Sequence, residues 1–128
     1  LRPAGGREED VTADAEVAAL AALYGRAAQA NDAGTLRDLF DPSARLWGLA
    51  EDGSVATDSR DEWLARVAAR APGPGGEAEV ESVEVTGPAA ALARVRVAVG
   101  GQAWRDTLSL LKVGGAWRVV AKVWQAAP

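Results

Sequence analysis

Among 128 residues there is no cysteine and no histidine. Thiolate nucleophiles, disulfides, the usual zinc and copper ligands and the ordinary neutral-pH base are therefore all missing. Any chemistry rests on carboxylates, Tyr24, lysine, arginine and backbone groups, and no metal site or cofactor is expected. One carboxylate stands out. In GGQAWRDTLSLLKVGGAWRVV, residues 100–120, Asp106 sits between Trp104 and a run of leucines, on a segment that reads as a strand entering a core. A carboxylate there suits general acid/base work or the anchoring of a ligand in a dry pocket. The competing reading is a structural carboxylate that caps a helix or satisfies a backbone amide.

Which way Asp106 points follows from the turns. Strands separated by Gly87-Pro88, Gly100-Gly101 and Gly114-Gly115 form a four-stranded antiparallel meander. If each turn closes symmetrically, Val95 faces Asp106, Asp106 faces Val123, and Val80 completes the row. The same face then carries Ser82, Ala93, Leu108 and Ala121, with Glu84, Ala91, Leu110 and Val119 beyond, and Val97, Trp104 and Gln125 on the other side. The opposite face carries Lys122, sets Glu79 against Arg96 and Glu81 against Arg94, and brings Arg105 over Trp124. Asp106 thus belongs to the apolar face, where it has to be hydrogen-bonded or partly protonated. A bulge at Gly100-Gly101 would reverse this and turn it toward Arg94 and Arg96.

The elements that must cover that face precede it. Val17, Leu20, Tyr24 and Ala28 recur at helical spacing in VTADAEVAALAALYGRAAQAN, which predicts a first helix from Val11 with Tyr24 on its core side. Tyr24 there can pack or can hydrogen-bond a substrate oxygen. DAGTLRDLF gives a short second helix stopped by Asp41-Pro42. Asp52-Gly53 marks a small hairpin, and SRDE is a capping box, Ser59 to Glu62, opening a third helix over about 60–71. PGPGG breaks the chain, and with no strand before it and no Lys-Ser/Thr after it, it is a linker rather than a phosphate loop. Residues 1–10 read as a tail and 11–128 as a single domain.

Composition narrows the partners. Fourteen basic against eighteen acidic residues give a net charge of -4, which argues against nucleic acid. No apolar run approaches a membrane span, and a cytoplasmic location is expected. Leu1 in place of an initiator methionine implies processing, tag removal or preceding residues. The heavy use of Ala, Gly, Arg and Val suggests a GC-rich bacterial genome.

LFDPSARLWG, SRDEWLARVAAR and DTLSLLKVGGAWRVVAKVWQ, in the order helix, helix, hairpin, helix, meander, resemble the nuclear transport factor 2-like superfamily, and within it the lumazine-binding and SnoaL-like branches. The resemblance implies an α+β fold: a cone-shaped curved antiparallel sheet, four long strands plus a short hairpin, packed against three helices around a pocket. It also implies homodimers joined through the outer sheet face, here carrying Val83, Leu92, Leu111, Val120 and Trp124. Superfamily members include polyketide cyclases, ketosteroid isomerases and epoxide hydrolases, so fold alone does not decide function. The acid and histidine pair of SnoaL-like cyclases cannot form here. An acid held beside a tyrosine, as in ketosteroid isomerase, is similar in kind to Asp106 and Tyr24. Asp41, Arg45 and Asp106 lack the local spacing for an acid-arginine-acid triad of the limonene epoxide hydrolase type.

The expected protein is a small-molecule pocket protein, a cofactor-free cyclase, isomerase or hydrolase of bacterial specialised metabolism. Asp106 and Tyr24 would be catalytic, and Trp47, Trp63, Trp104 and Gln125 would shape a site for a hydrophobic or aromatic ligand. The alternative is a non-catalytic ligand-binding or dimerisation module. Lys112 and Lys122 read as solvated.

Overall fold

A computed structural model describes residues 8–128, with side chains from residue 12 onward. Most of the expected tail, residues 1–7, lies outside the described residues, and its last three open the first helix. The order is α1 (Glu8–Ala30), α2 (Ala33–Leu39), β1 (Phe40–Leu49), β2 (Val55–Ser59), α3 (Arg60–Ala69), β3 (Glu79–Gly87), β4 (Ala90–Val99), β5 (Gln102–Val113) and β6 (Ala116–Ala126). The strands form one six-stranded curved sheet in the order β2-β1-β6-β5-β4-β3. All neighbours are antiparallel except β1 and β6, which run parallel and join the N-terminal hairpin to the meander.

Local signals explain the element ends. Val17, Ala21, Tyr24 and Ala28 form the buried stripe of α1, one face of a 3.6-residue period. Asn31 ends that helix in the left-handed region, φ 55°, a conformation asparagine tolerates better than most residues. The next residue, Asp32, caps α2 by accepting the Thr35 amide at 3.1 Å. At α3 both halves of the capping box form: Glu62 N donates to Ser59 Oγ at 3.1 Å and Ser59 N to Glu62 Oε1 at 2.8 Å. Residues 73–77 are tied to the end of α1, where Gln29 Nε2 donates to the Gly76 carbonyl at 3.0 Å and Gly73 N to the Ala30 carbonyl at 3.0 Å.

Gly100 and Gly101 both have positive φ, 63° and 79°, so β4 and β5 close through a two-residue turn whose twist matches that of the strands. Val99 pairs with Gln102, and the ladder runs without interruption to Val95 opposite Asp106. The other two ladders do not keep one register. Between β5 and β6, Ser109 pairs with Ala121 but Leu110 with Val119, leaving Val120 over as a bulge. A single extra residue reverses the faces of everything beyond it. Trp117 and Val119 point inward before the bulge, and Lys122 and Trp124 after it, so Asp106 stands opposite Trp124 rather than Val123.

Two more irregularities, between Val80 and Ser82 and between Val85 and Gly87, bracket a stretch of β3 whose faces are reversed in the same way. Val83 and Val85 pack against the core, whereas Glu84 is exposed and Ser82 accepts from Arg94 Nη1 at 3.3 Å. The expected outward Val83 and Trp124 and inward Ser82, Glu84 and Gln125 are therefore corrected by these register shifts. Glu81 pairs with Arg105, at 2.6 and 2.9 Å, instead of with Arg94. Arg105 consequently does not stack on Trp124, which faces the other way.

Candidate functional site

Between the sheet and the helices lies a cavity of about 540 Å³, its wall built from Tyr24, Trp63, Trp104, Asp106, Lys122 and Trp124. Each arrives for a local reason. Tyr24 continues the buried stripe of α1, and Trp63 sits one turn inside the capped start of α3. Trp104 and Asp106 alternate inward along β5, and Lys122 and Trp124 along β6 beyond the bulge. Phe40 holds the rings in a row, its centroid 5.9 Å from that of Tyr24 and 5.0 Å from that of Trp63. Gly48 on β1 makes room for Trp124: a Cβ there would stand 2.0 Å from the indole Cε2.

Asp106 is 2% exposed and Lys122 8%. The Tyr24 hydroxyl donates to Asp106 Oδ2 at 2.5 Å, and Lys122 Nζ lies 3.6 Å from the same oxygen. The ammonium also rests over Trp63, 4.4 Å from the ring centroid, and 5.4 Å from that of Tyr24. Both positions are within the range of cation-π attraction. Burial pushes the Tyr24 phenol well above its ordinary range, and the charge and hydrogen bond of Asp106 push it further. The phenol therefore keeps its proton and remains a donor. Burial lowers the Lys122 ammonium, Asp106 opposes that change, and the charge of Arg70 adds to it.

Asp58, Arg66 and Arg70 also line the cavity. Arg66 grips Asp58 with two bonds, 3.2 and 2.5 Å. Three cations thus face two carboxylates in a chain whose net charge is -4, so the cavity is electropositive relative to the surface around it. Asn31 adds a buried amide oxygen that has no hydrogen-bond partner, while its nitrogen donates to the Ala71 carbonyl at 3.0 Å. Among the described residues no cluster of three or more carboxylates is arranged to hold a metal ion. The separated candidates Asp41 and Arg45 do not meet Asp106: Asp41 accepts from the Ser43 hydroxyl at 2.5 Å and Arg45 donates to the Thr57 hydroxyl at 3.3 Å.

Of the residues singled out from the sequence, Asp106, Tyr24, Trp63 and Trp104 come together at the cavity. Trp47 and Gln125 do not. Trp47 is 39% exposed on the outer face under the Arg45 guanidinium, and Gln125 is exposed opposite Arg105. Lys122, expected in solvent, and Trp124, expected outside, take their places. Two signals point to the change. The consecutive valines 119 and 120 interrupt the alternation of β6, and Lys122 is one of only two lysines beside twelve arginines.

The family model described as "Putative lumazine-binding" matches residues 12–125. The chain belongs to this family. Solved structures of the same nuclear transport factor 2-like fold agree. One of unknown function from Shewanella baltica OS155 superposes with a TM-score of 0.82 at 23% identity, over 92% of this chain and 96% of that one. Another of unknown function, from Silicibacter pomeroyi DSS-3, gives 0.80 at 28% identity, over 92% and 98%. A protein described as a putative scytalone dehydratase from Novosphingobium aromaticivorans gives 0.66 at 13%, over 94% and 88%. No curated protein matches the chain. In this chain the helices and the sheet enclose the pocket. No helix among the described residues is long and apolar enough to cross a membrane.

Proposed function

We propose that this lumazine-binding family protein is a cofactor-free enzyme that moves a proton on a planar, largely apolar small molecule, in an isomerisation, cyclisation or dehydration. The observation that carries this reading is the Asp106 carboxylate, set in the wall of a tryptophan-lined cavity and held at one oxygen by both Tyr24 and Lys122. A carboxylate fixed in water-poor surroundings is a competent general base. A phenol has one proton to donate, and Tyr24 gives it to Asp106. In this reading Tyr24 orients the base rather than binding a substrate oxygen, and Trp63, Trp104 and Trp124 hold the flat face of the ligand. The dehydratase description of a neighbour of the same fold supports including loss of water among the reactions.

The test uses a carbon acid of suitable shape, 2-tetralone, in deuterium oxide, with loss of the C1 proton signal followed by NMR. Wild-type protein is expected to accelerate exchange, and D106N to lose about 10²–10⁴ of that acceleration, the usual range for a positioned acid or base. Equal rates with wild type and D106N overturn the reading.

The family description supports a second reading, non-catalytic binding of lumazine or a similar flat heterocycle between the indoles. Quenching of tryptophan fluorescence by lumazine, with no exchange activity, selects it. Pairing of two copies through the outer sheet face, where Trp47, Leu111 and Val123 are exposed, is a separate part of the proposal. Sedimentation as a monomer at micromolar concentration removes it.

A further inference from the structure

We propose that Lys122 is a carbonyl-reactive amine that forms a reversible imine with an aromatic aldehyde or planar ketone entering the cavity. The inference shares its cavity with the acid/base reading but does not require Asp106 to act on a carbon acid.

Three independent observations carry it. The first is placement. Lys122 Nζ lies in the cavity wall on a side chain that is only 9% exposed, beside the tryptophans that would flank a flat carbonyl compound. The second is residue choice. The chain uses twelve arginines and two lysines, yet its most buried cation facing the cavity is a lysine. Arginine would form a better fork to Asp106 and a better stack on Trp63, but it cannot lose a proton in a protein. The third is the surroundings. The groups that face the amine are Asp106 at 3.6 Å, the rings of Trp63 and Tyr24, and the charge of Arg70. Desolvation and a second cation are the two means by which a lysine is made nucleophilic.

The step balances within this cluster. The Lys122 ammonium passes one proton to Asp106, and the freed lone pair adds to the carbonyl carbon. The carbonyl π pair and a second proton from Nζ end on oxygen, giving a carbinolamine. Asp106 returns its proton to that hydroxyl, water leaves, and the nitrogen lone pair closes the carbon-nitrogen double bond as an iminium. The cation and carboxylate present at the start are present at the end, so no net charge is added to a buried site, where an unpaired charge is costly. The iminium nitrogen remains over the Trp63 ring, where its charge is attracted to the π face.

The test incubates the intact protein with 2-naphthaldehyde and sodium cyanoborohydride at neutral pH and maps the alkylated peptides by mass spectrometry. Lys112 is the internal control, since its side chain is about four times as exposed, 35% against 9%. Lys122 is expected to be labelled at least about tenfold faster than Lys112, because a desolvated amine beside a second cation holds more of its free base at neutral pH. K122R keeps the positive charge beside Asp106 and is expected to fold, as judged by circular dichroism, with labelling at this site abolished. Labelling of Lys112 and the chain terminus ahead of Lys122 in folded protein overturns the proposal. Failure to trap an imine while 2-tetralone exchange persists removes the imine alone. Trapping at Lys122 without exchange removes the acid/base reading alone.

Discussion

The hydroxyl of Tyr24 and the carboxylate of Asp106, eighty-two residues apart in the chain, meet at 2.5 Å inside the protein. That bond ties α1 to the middle of β5 across the core. Tyr24→Phe removes the donor with little change in volume and leaves a buried acceptor short of a partner. A loss of about 1.5–3 kcal/mol is expected, the range for a hydrogen bond to a charged group. Urea unfolding measures it, and 2-tetralone exchange should fall in the same variant because the base is no longer oriented.

Lys122 and Asp106 neutralise each other where neither has access to much water. Removing one partner strands the other charge, so D106A alone is expected to cost about 3–5 kcal/mol. D106L combined with K122M removes both charges and should recover most of that loss. A double-mutant cycle in urea gives the coupling directly, and purely additive losses would show that the two groups do not act as a pair.

Lys122 also gives stability a particular dependence on pH. Its folded-state pKa lies below the unfolded value, so between the two the unfolded chain binds more protons and stability rises with pH, up to the ordinary lysine range near ~10.4. Tyr24 acts in the opposite sense, because its folded value lies above 10.0. Above that pH the folded state binds more protons, and the phenol's contribution to stability falls. Unfolding free energies measured across the alkaline range should therefore rise in wild-type protein relative to K122M before declining, and parallel curves for the two proteins would contradict the assignment.

Gly48 and Trp124 test the shape of the site. A Cβ at position 48 would lie 2.0 Å from Cε2 and 2.3 Å from Nε1 of the indole, so G48A must displace the ring or the strand. The expected cost is about 1–3 kcal/mol, the usual range for overpacking, with weaker quenching of tryptophan fluorescence by lumazine. Unchanged stability and binding would mean that Trp124 does not form part of the wall.

The inward direction of Asp106 was legible because a two-glycine turn leaves the β4–β5 ladder no freedom of register. The stripe of α1 and the capping box of α3 were legible for a similar reason: both depend on neighbours within four residues. The positions of Lys122, Trp124 and Gln125 were not, because symmetrical pairing from Gly114-Gly115 holds only as far as Leu110 and Val119. The surplus Val120 is set by packing against two neighbouring strands, which adjacent residues do not encode. Trp47 was misplaced for a simpler reason. On a strand pairing with β2 and with the far end of the chain, an aromatic residue can face either side, and composition does not say which.

The bulge at Val120 makes the chemistry of the cavity a matter of counting as well as of residue identity. Shortening β6 by that one position would interchange the two surfaces of its last third, sending the amine to solvent and bringing Val123 beneath the helices, without altering a single retained side chain. A chain with one residue fewer at this point would keep the architecture and present no amine to the cavity.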